Sequence, residues 1–209
     1  MHLMIASQPK RAEGFALITA LVMLLIITVL ALGGSRLALD SKRMSRNQRD
    51  RDIALQAAEA ALRDAEYDIT AGVRSANFSQ TSAAGFPASG CNTGATQSST
   101  STLGLCASGD STNPIWNTVS WIATGPTVQT VGYGDFTGRT FPIGSGLLPA
   151  QKPRYIIEQM NYAKTGADAS GADRPFFYRI TAVGWGPNNN APVMLQSYYV
   201  KSDSSDPSS

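Results

Sequence analysis

The sequence predicts an α+β fold: a long N-terminal helix, apolar in its first half and amphipathic in its second, packed on a C-terminal antiparallel β-sheet. Three observations predict it. Twenty residues, 15–34, hold only Thr19 and Thr28 as polar members. Residues 35–71 contain neither proline nor glycine and place apolar side chains three and four apart. After Gly72 the chain turns to loops rich in Ser, Thr, Gly and Ala, punctuated by short β-branched and aromatic runs.

The 209 residues suffice for one ordinary domain and an appendage. Hydrophobic residues make up 43% and charged residues 15%, a globular rather than a disordered composition. A formal net charge of +2 gives no argument for nucleic acid or an acidic partner, and no direct nucleic-acid site is evident.

The first element is residues 15–34. At about 1.5 Å per residue it covers roughly 30 Å, the thickness of a bilayer core. A buried core helix of this length would keep a polar face. A cleaved secretory signal would be shorter and end in a small-x-small site, whereas SRLALDSKRM follows here. One membrane crossing is therefore expected. Its orientation is contested. Lys10 and Arg11 precede the span, and Arg36, Lys42, Arg43, Arg46, Arg49 and Arg51 follow it. The positive-inside rule favours a cytoplasmic C-terminus. A cysteine pair favours an oxidising compartment.

The second element is the amphipathic helix, residues 35–72. Leu55, Ala58, Leu62, Ala65 and Ile69 form its seam, and Leu37 and Met44 extend the register backwards. Small seam residues permit close approach of a partner, whether the chain's own domain or other subunits. Arg46 with Asp50, and Arg63 with Glu59 and Glu66, are spaced to pair on the outer face. Gly33 and Gly34 are the weak point, at about 1 kcal/mol each relative to alanine. Local bending or melting is expected at this hinge.

The third element is the sheet domain, residues 73–209. A long loop covers 75–102, and Cys91 and Cys106 could close a loop by a disulfide worth roughly 3 kcal/mol. Two unlinked thiols suit so polar a neighbourhood less well. Strand candidates are 116–123, 154–160, 176–183 and 193–200. The turn-rich GWGPNNNAP between the last two predicts an antiparallel hairpin. Residues 163–174 read as a polar loop, and the tail near 202–209 as disordered.

Residues 130–135 spell TVGYGD, the string of a potassium-selectivity filter. A filter needs flanking membrane helices, and the span ends about a hundred residues earlier, so a chance turn on a surface loop is expected. No enzyme motif stands out. His2 is the only histidine, and its loss with a leader would remove Ser-His-Asp, Cys-His and histidine–metal chemistry. No cofactor is expected. Asp168 and Asp173 could meet a cation, but no EF-hand spacing is present.

KRAEGFALITALVMLLIITVLALGG resembles the class III signal of a type IV pilin-like protein. RNQRDRDIALQAAEAALRDAE, residues 46–66, resembles the N-terminal signature of PilX minor pilins. LGLCASGDSTNPIW, RYIIE and FYRITAVGWGPNNNAPVMLQSYYV resemble further elements of that group. Residues 75–102 and 125–150 carry little resemblance. The resemblance implies a type IV pilin fold. Residues 1–14 would be a leader, cut by a prepilin peptidase between Gly14 and Phe15, with N-methylation of Phe15. It implies a single-pass inner-membrane protein whose C-terminal domain is periplasmic before assembly and part of the pilus afterwards. The implied partners are other minor pilins, the major pilin, the prepilin peptidase, the inner-membrane assembly platform and a pilus-tip adhesin of the PilY type.

Counting Phe15 as first, Thr19 is fifth, where most type IV pilins carry glutamate. A carboxylate in the membrane costs about 2.5–3.5 kcal/mol and needs a partner. In the family that partner is the terminal amine of the subunit above. A subunit with nothing above it needs no carboxylate, so Thr19 fits a first or tip subunit, whatever backbone bond its hydroxyl makes. The implied assembly residues are Phe15, Thr19, Leu55, Ala58 and Leu62. The implied function is priming of type IV pilus assembly at or near the tip, in support of twitching motility, adhesion or DNA uptake. Two alternatives stand beside it. One is a type II secretion minor pseudopilin of the K type, which carries a large helical insertion. The other is a single-span periplasmic protein binding a ligand through Trp116, Trp121 or Trp185.

Overall fold

The computed structural model describes residues 13–94, 101–110, 112–161, 175–189 and 191–202. It comprises two compact units, Met1–Gln48 and Arg49–Ser209. One helix, α1 (Glu13–Thr70), contributes to both. Residues 1–12, Asp168, Asp173 and the residues beyond 202, on which the expected leader, polar loop and disordered end fall, lie outside the described residues.

In the first unit every described side chain from Gly14 onward is exposed. Phe15 is 72% exposed and Leu30 68%, an arrangement that water would penalise and a bilayer would not. Helical structure continues through Gly33 and Gly34, the positions at which bending or melting is expected. Each glycine costs about 1 kcal/mol, but an established helix propagates through such a site more easily than it nucleates anew beyond it.

The second unit places the end of α1 on a five-stranded sheet. The strands are β1 (Leu105–Cys106), β2 (Val131–Gly132), β3 (Arg154–Asn161), β4 (Phe176–Gly184) and β5 (Val193–Tyr199). The sheet order is β1-β3-β4-β5, with β2 also on β3. The hairpin expected from GWGPNNNAP is present: β4 and β5 pair antiparallel from Tyr178 opposite Tyr199 to Gly184 opposite Val193. The sheet is mixed rather than wholly antiparallel, because β1 lies parallel to β3. Gly104 turns with φ +71°, and its carbonyl accepts from Ile157 N–H at 2.9 Å, which sets Leu105 and Cys106 alongside β3.

One face of the sheet, through Tyr155, Ile157, Tyr178, Ile180 and Ala182, meets Ala61, Ala65 and Ile69 of α1. The opposite face packs Ile156 with Cys106, Ile115 and Val119. Residues 116–123 are not a strand. Ile115–Asn117 is a short 3-10 turn, with Pro114 just before it. Ile115 and Val119 are buried four apart, a helical rather than a two-residue spacing.

TVGYGD is not a free surface loop. Thr130, Val131 and Phe136 are buried, and β2 begins within the string. The Asp135 carboxylate accepts from Gly132 N–H at 2.9 Å, and Gly134 turns with φ +83°. The glycines serve a tight turn anchored to the sheet.

Candidate functional site: the N-terminal helix and its anchorage

The N-terminal end is simple in its chemistry. Gly14 and Phe15 lie in the first turns of α1 and are exposed. The Thr19 hydroxyl donates back along its own helix, 3.1 Å from the Phe15 carbonyl and 3.0 Å from that of Ala16. Thr28 does the same to Leu25 O at 2.8 Å. Both hydroxyls are therefore satisfied without a partner, which permits them in hydrocarbon.

The implied assembly residues on the second half of the helix separate. Leu55 is 37% exposed and Leu62 half-buried, whereas Ala58 is 0% exposed. Ala58 packs on the chain's own sheet and offers no surface to another subunit. The reason is the face chosen by the fold. The buried stripe is Ala54, Ala57, Ala58, Ala61, Ala65 and Ile69, which turns Leu55 outward.

The small residues permit a very close approach. A Cβ on Gly184 would fall within contact of the Ala54 carbonyl oxygen and the Ala58 nitrogen. One on Gly186 would lie 2.5 Å from the Asp50 carbonyl oxygen. Alanine on the helix and glycine at the end of β4 thus bring two backbones together.

Two aspartates share this buried side, and the sequence reading missed them. Asp68 and Arg74 are wholly buried. Arg74 Nη2 donates to Asp68 Oδ2 at 2.7 Å, and Nε to Oδ1 at 3.1 Å. Tyr155 Oη donates to Asp68 Oδ2 at 2.9 Å, and Arg74 Nη1 to Leu103 O at 2.6 Å. The guanidinium lies 3.7 Å from the Phe136 ring centroid. Burial, with the Asp68 charge beside it, holds the Tyr155 phenol well above its ordinary range. This cluster ties the end of α1 to β3 and to the loops on either side. Asp64 accepts from Gly134 N–H at 2.8 Å and from the Thr137 hydroxyl. Burial raises its carboxyl above the usual carboxylate range despite those bonds. The signal was present: Asp64 and Asp68 stand four apart among the alanines.

On the far face Arg179 Nη2 donates to buried Glu158 at 2.6 Å, and the guanidinium carbon lies 4.4 Å from the Trp116 ring centroid. Trp121 Nε1 donates to Trp116 O at 3.1 Å, and Trp185 is buried. The tryptophans are engaged in packing. Cys91 and Cys106 are joined by a disulfide. The pairings of Arg46 with Asp50 and of Arg63 with Glu59 or Glu66 are not formed among the described residues, where the ion pairs are Arg43–Asp40, Arg74–Asp68 and Arg179–Glu158. Asp50 instead accepts from Asn188 Nδ2 at 2.8 Å.

A long helix, apolar at its start and seated by its later turns on a sheet, defines the pilin class. Two family models then match the chain. The one described as PilX N-terminal covers residues 13–63, and the one described as Type IV pilus assembly protein PilX C-term covers residues 88–201. The chain belongs to the PilX family, structural minor pilins of type IV pilus assembly. No curated protein and no solved structure matches it.

Proposed function

We propose that this chain primes type IV pilus assembly and occupies the filament tip or the position next to it. The observation that carries the reading is Thr19. Its hydroxyl is satisfied by its own backbone, so this position makes no demand on a neighbour's amine. A glutamate there would require one, or cost about 2.5–3.5 kcal/mol unpaired. Cleavage falls between Gly14 and Phe15, and the methylated Phe15 amine remains free to receive the glutamate of a later subunit. The C-terminal unit is periplasmic, a placement supported by the disulfide.

Leu55 and Leu62 carry the lateral contact with other pilins. They stand seven apart, as do Leu37 and Met44, which are 73% and 74% exposed. Gly33 and Gly34 are where the helix yields during extraction from the membrane. The assembly platform and a tip adhesin of the PilY type are the further partners. The tip position serves twitching, adhesion or DNA uptake. No observation favours the K-type pseudopilin: among the described residues, the helices after α1 are three-residue 3-10 turns.

The test has two arms. Mass spectrometry of the membrane-extracted protein should give methylated Phe15 as the mature N-terminus; an intact leader rejects the pilin reading. Deletion should abolish or sharply reduce surface pili. Thr19→Glu should then misplace the subunit or stall initiation, and normal placement of that variant removes the tip argument.

A further inference from the structure

The first unit carries a charge arrangement that the span itself does not use. Residues 35–48 contain four cations, Arg36, Lys42, Arg43 and Arg46, and one anion, Asp40. All five side chains are exposed. Arg43 stands 3.9 Å from Asp40, with the two side chains 80% and 74% exposed, so water screens most of that attraction. The other three cations enter no ion pair among the described residues.

The cluster begins two residues after the apolar run and in the same helix. At 1.5 Å per residue, Arg36 stands roughly 3 Å beyond the end of that run, Lys42 roughly 12 Å and Arg46 roughly 18 Å. These are distances for a helix along the bilayer normal, and any tilt shortens them. The headgroup layer is roughly 5–8 Å deep, and the Debye length at physiological salt is about 8 Å. Arg36, Lys42 and Arg43 fall within that combined reach, and Arg46 lies at its margin. Arg36 and Arg43 are seven apart, Lys42 and Arg46 four apart, so the cations share one side of the helix. Leu37 and Met44, also seven apart, mark the other.

We propose that Arg36, Lys42, Arg43 and Arg46 form a docking surface for the anionic headgroups of the bilayer that holds the span. The inference rests on reading residues 15–34 as a span. It does not depend on the tip role or on which leaflet the cluster meets. Charge complementarity and continuity with the span select lipid as the occupant. Wherever the apolar run sits in a bilayer, the first three cations lie within its surface field. The same four charges would hold the unassembled subunit at the membrane and would have to be released when it leaves for the filament.

The test uses the full-length chain in nanodiscs of equal phosphatidylcholine and phosphatidylglycerol, with a trace of spin-labelled lipid of either kind. The wild type should restrict phosphatidylglycerol over phosphatidylcholine by about 5-fold or more, the equivalent of one cation at the surface. Arg36→Gln/Lys42→Gln/Arg43→Gln/Arg46→Gln should bring the two lipids to parity. So should about 0.5 M salt, where the Debye length is roughly 4 Å. Equal restriction by the wild type overturns the proposal, as does undiminished preference in the quadruple variant. A variant that keeps its lipid preference but no longer co-purifies with other pilins assigns the cluster to a protein partner and also overturns it. Failure of the wild type to enter the nanodisc at all would reject the span reading, a separate and recognisable result.

Discussion

Residues 15–49 and residues 54–69 of α1 share one backbone conformation and differ in everything around it. Along the first stretch every side chain is exposed, including Leu24, Leu30 and Leu32 at 66–68%. Along the second, Ala54, Ala57, Ala58, Ala61 and Ala65 are buried to 0–1%, and two buried aspartates lie among them. The first is a surface that lacks its solvent and partners until a bilayer or a filament supplies them. The second has found its partners within the chain. Hydrophobicity alone does not separate the two, since alanine is a weaker apolar residue than leucine. What separates them is side-chain size. Bulky residues favour contact with lipid or another helix at ordinary spacing. Alanine against Gly184 permits a backbone approach that only a fixed tertiary partner can exploit.

Substitutions should divide along the same line. The largest effect is expected at Arg74. Replacing it by methionine leaves the Asp68 carboxylate buried with only Tyr155 to bond it, and should lower the stability of the second unit by about 3–5 kcal/mol. Urea denaturation of the full-length chain in detergent, read by tryptophan fluorescence, measures this. A loss below about 1 kcal/mol would mean that the cluster is not what fastens the end of the helix.

Next comes Gly184→Ala. The added methyl meets helix backbone rather than a movable side chain, so the helix must shift on the sheet, at about 1–3 kcal/mol. The same substitution at Gly33 or Gly34, where nothing beyond the local helix backbone lies within 4 Å of the new Cβ, should instead stabilise the helix by up to about 1 kcal/mol each. Equal effects at Gly184 and Gly34 would erase the distinction between the halves.

A smaller effect follows from Asp64. Its carboxyl is raised by burial, so the folded state binds the proton more tightly than the unfolded state does. That linkage favours folding below the unfolded value and is lost as pH rises through the folded one. The wild type should therefore gain stability relative to Asp64→Asn as pH falls from about 7 towards 4. Paired melting curves across that range check the sign, and a gap that is constant or moves the other way removes the argument. The smallest effect belongs to the exposed half. Met44→Gln should leave the unfolding free energy within about 0.5 kcal/mol of wild type while weakening co-purification with other pilins.

Much of this was legible in the sequence because it depends on local pattern. The apolar run, the helix to residue 70, β3 and the β4–β5 hairpin all follow from residue type and spacing. The reading failed at 116–123, where aromatic and β-branched residues look like a strand. Pro114 and the burial of Ile115 and Val119 make a compact turn there instead. Leu55 and Ala58 part, one exposed and the other buried, for a different reason. Both fit one amphipathic stripe, and which flank of that stripe is buried depends on glycines some 130 residues away in the chain.

The sequence by itself determined that a helix of membrane-spanning length opens the chain, that an alanine-rich helix and a sheet follow, and that position 19 carries no charge. These are properties of single residues and short periods, and they need no partner to be defined. Tertiary structure alone decided that the alanines serve the chain's own sheet, that Asp68 meets Arg74 and Tyr155 in the interior, and that TVGYGD is a turn fastened to β3. Those outcomes join residues far apart in sequence, and close approach, burial and charge pairing exist only once the chain has brought them together.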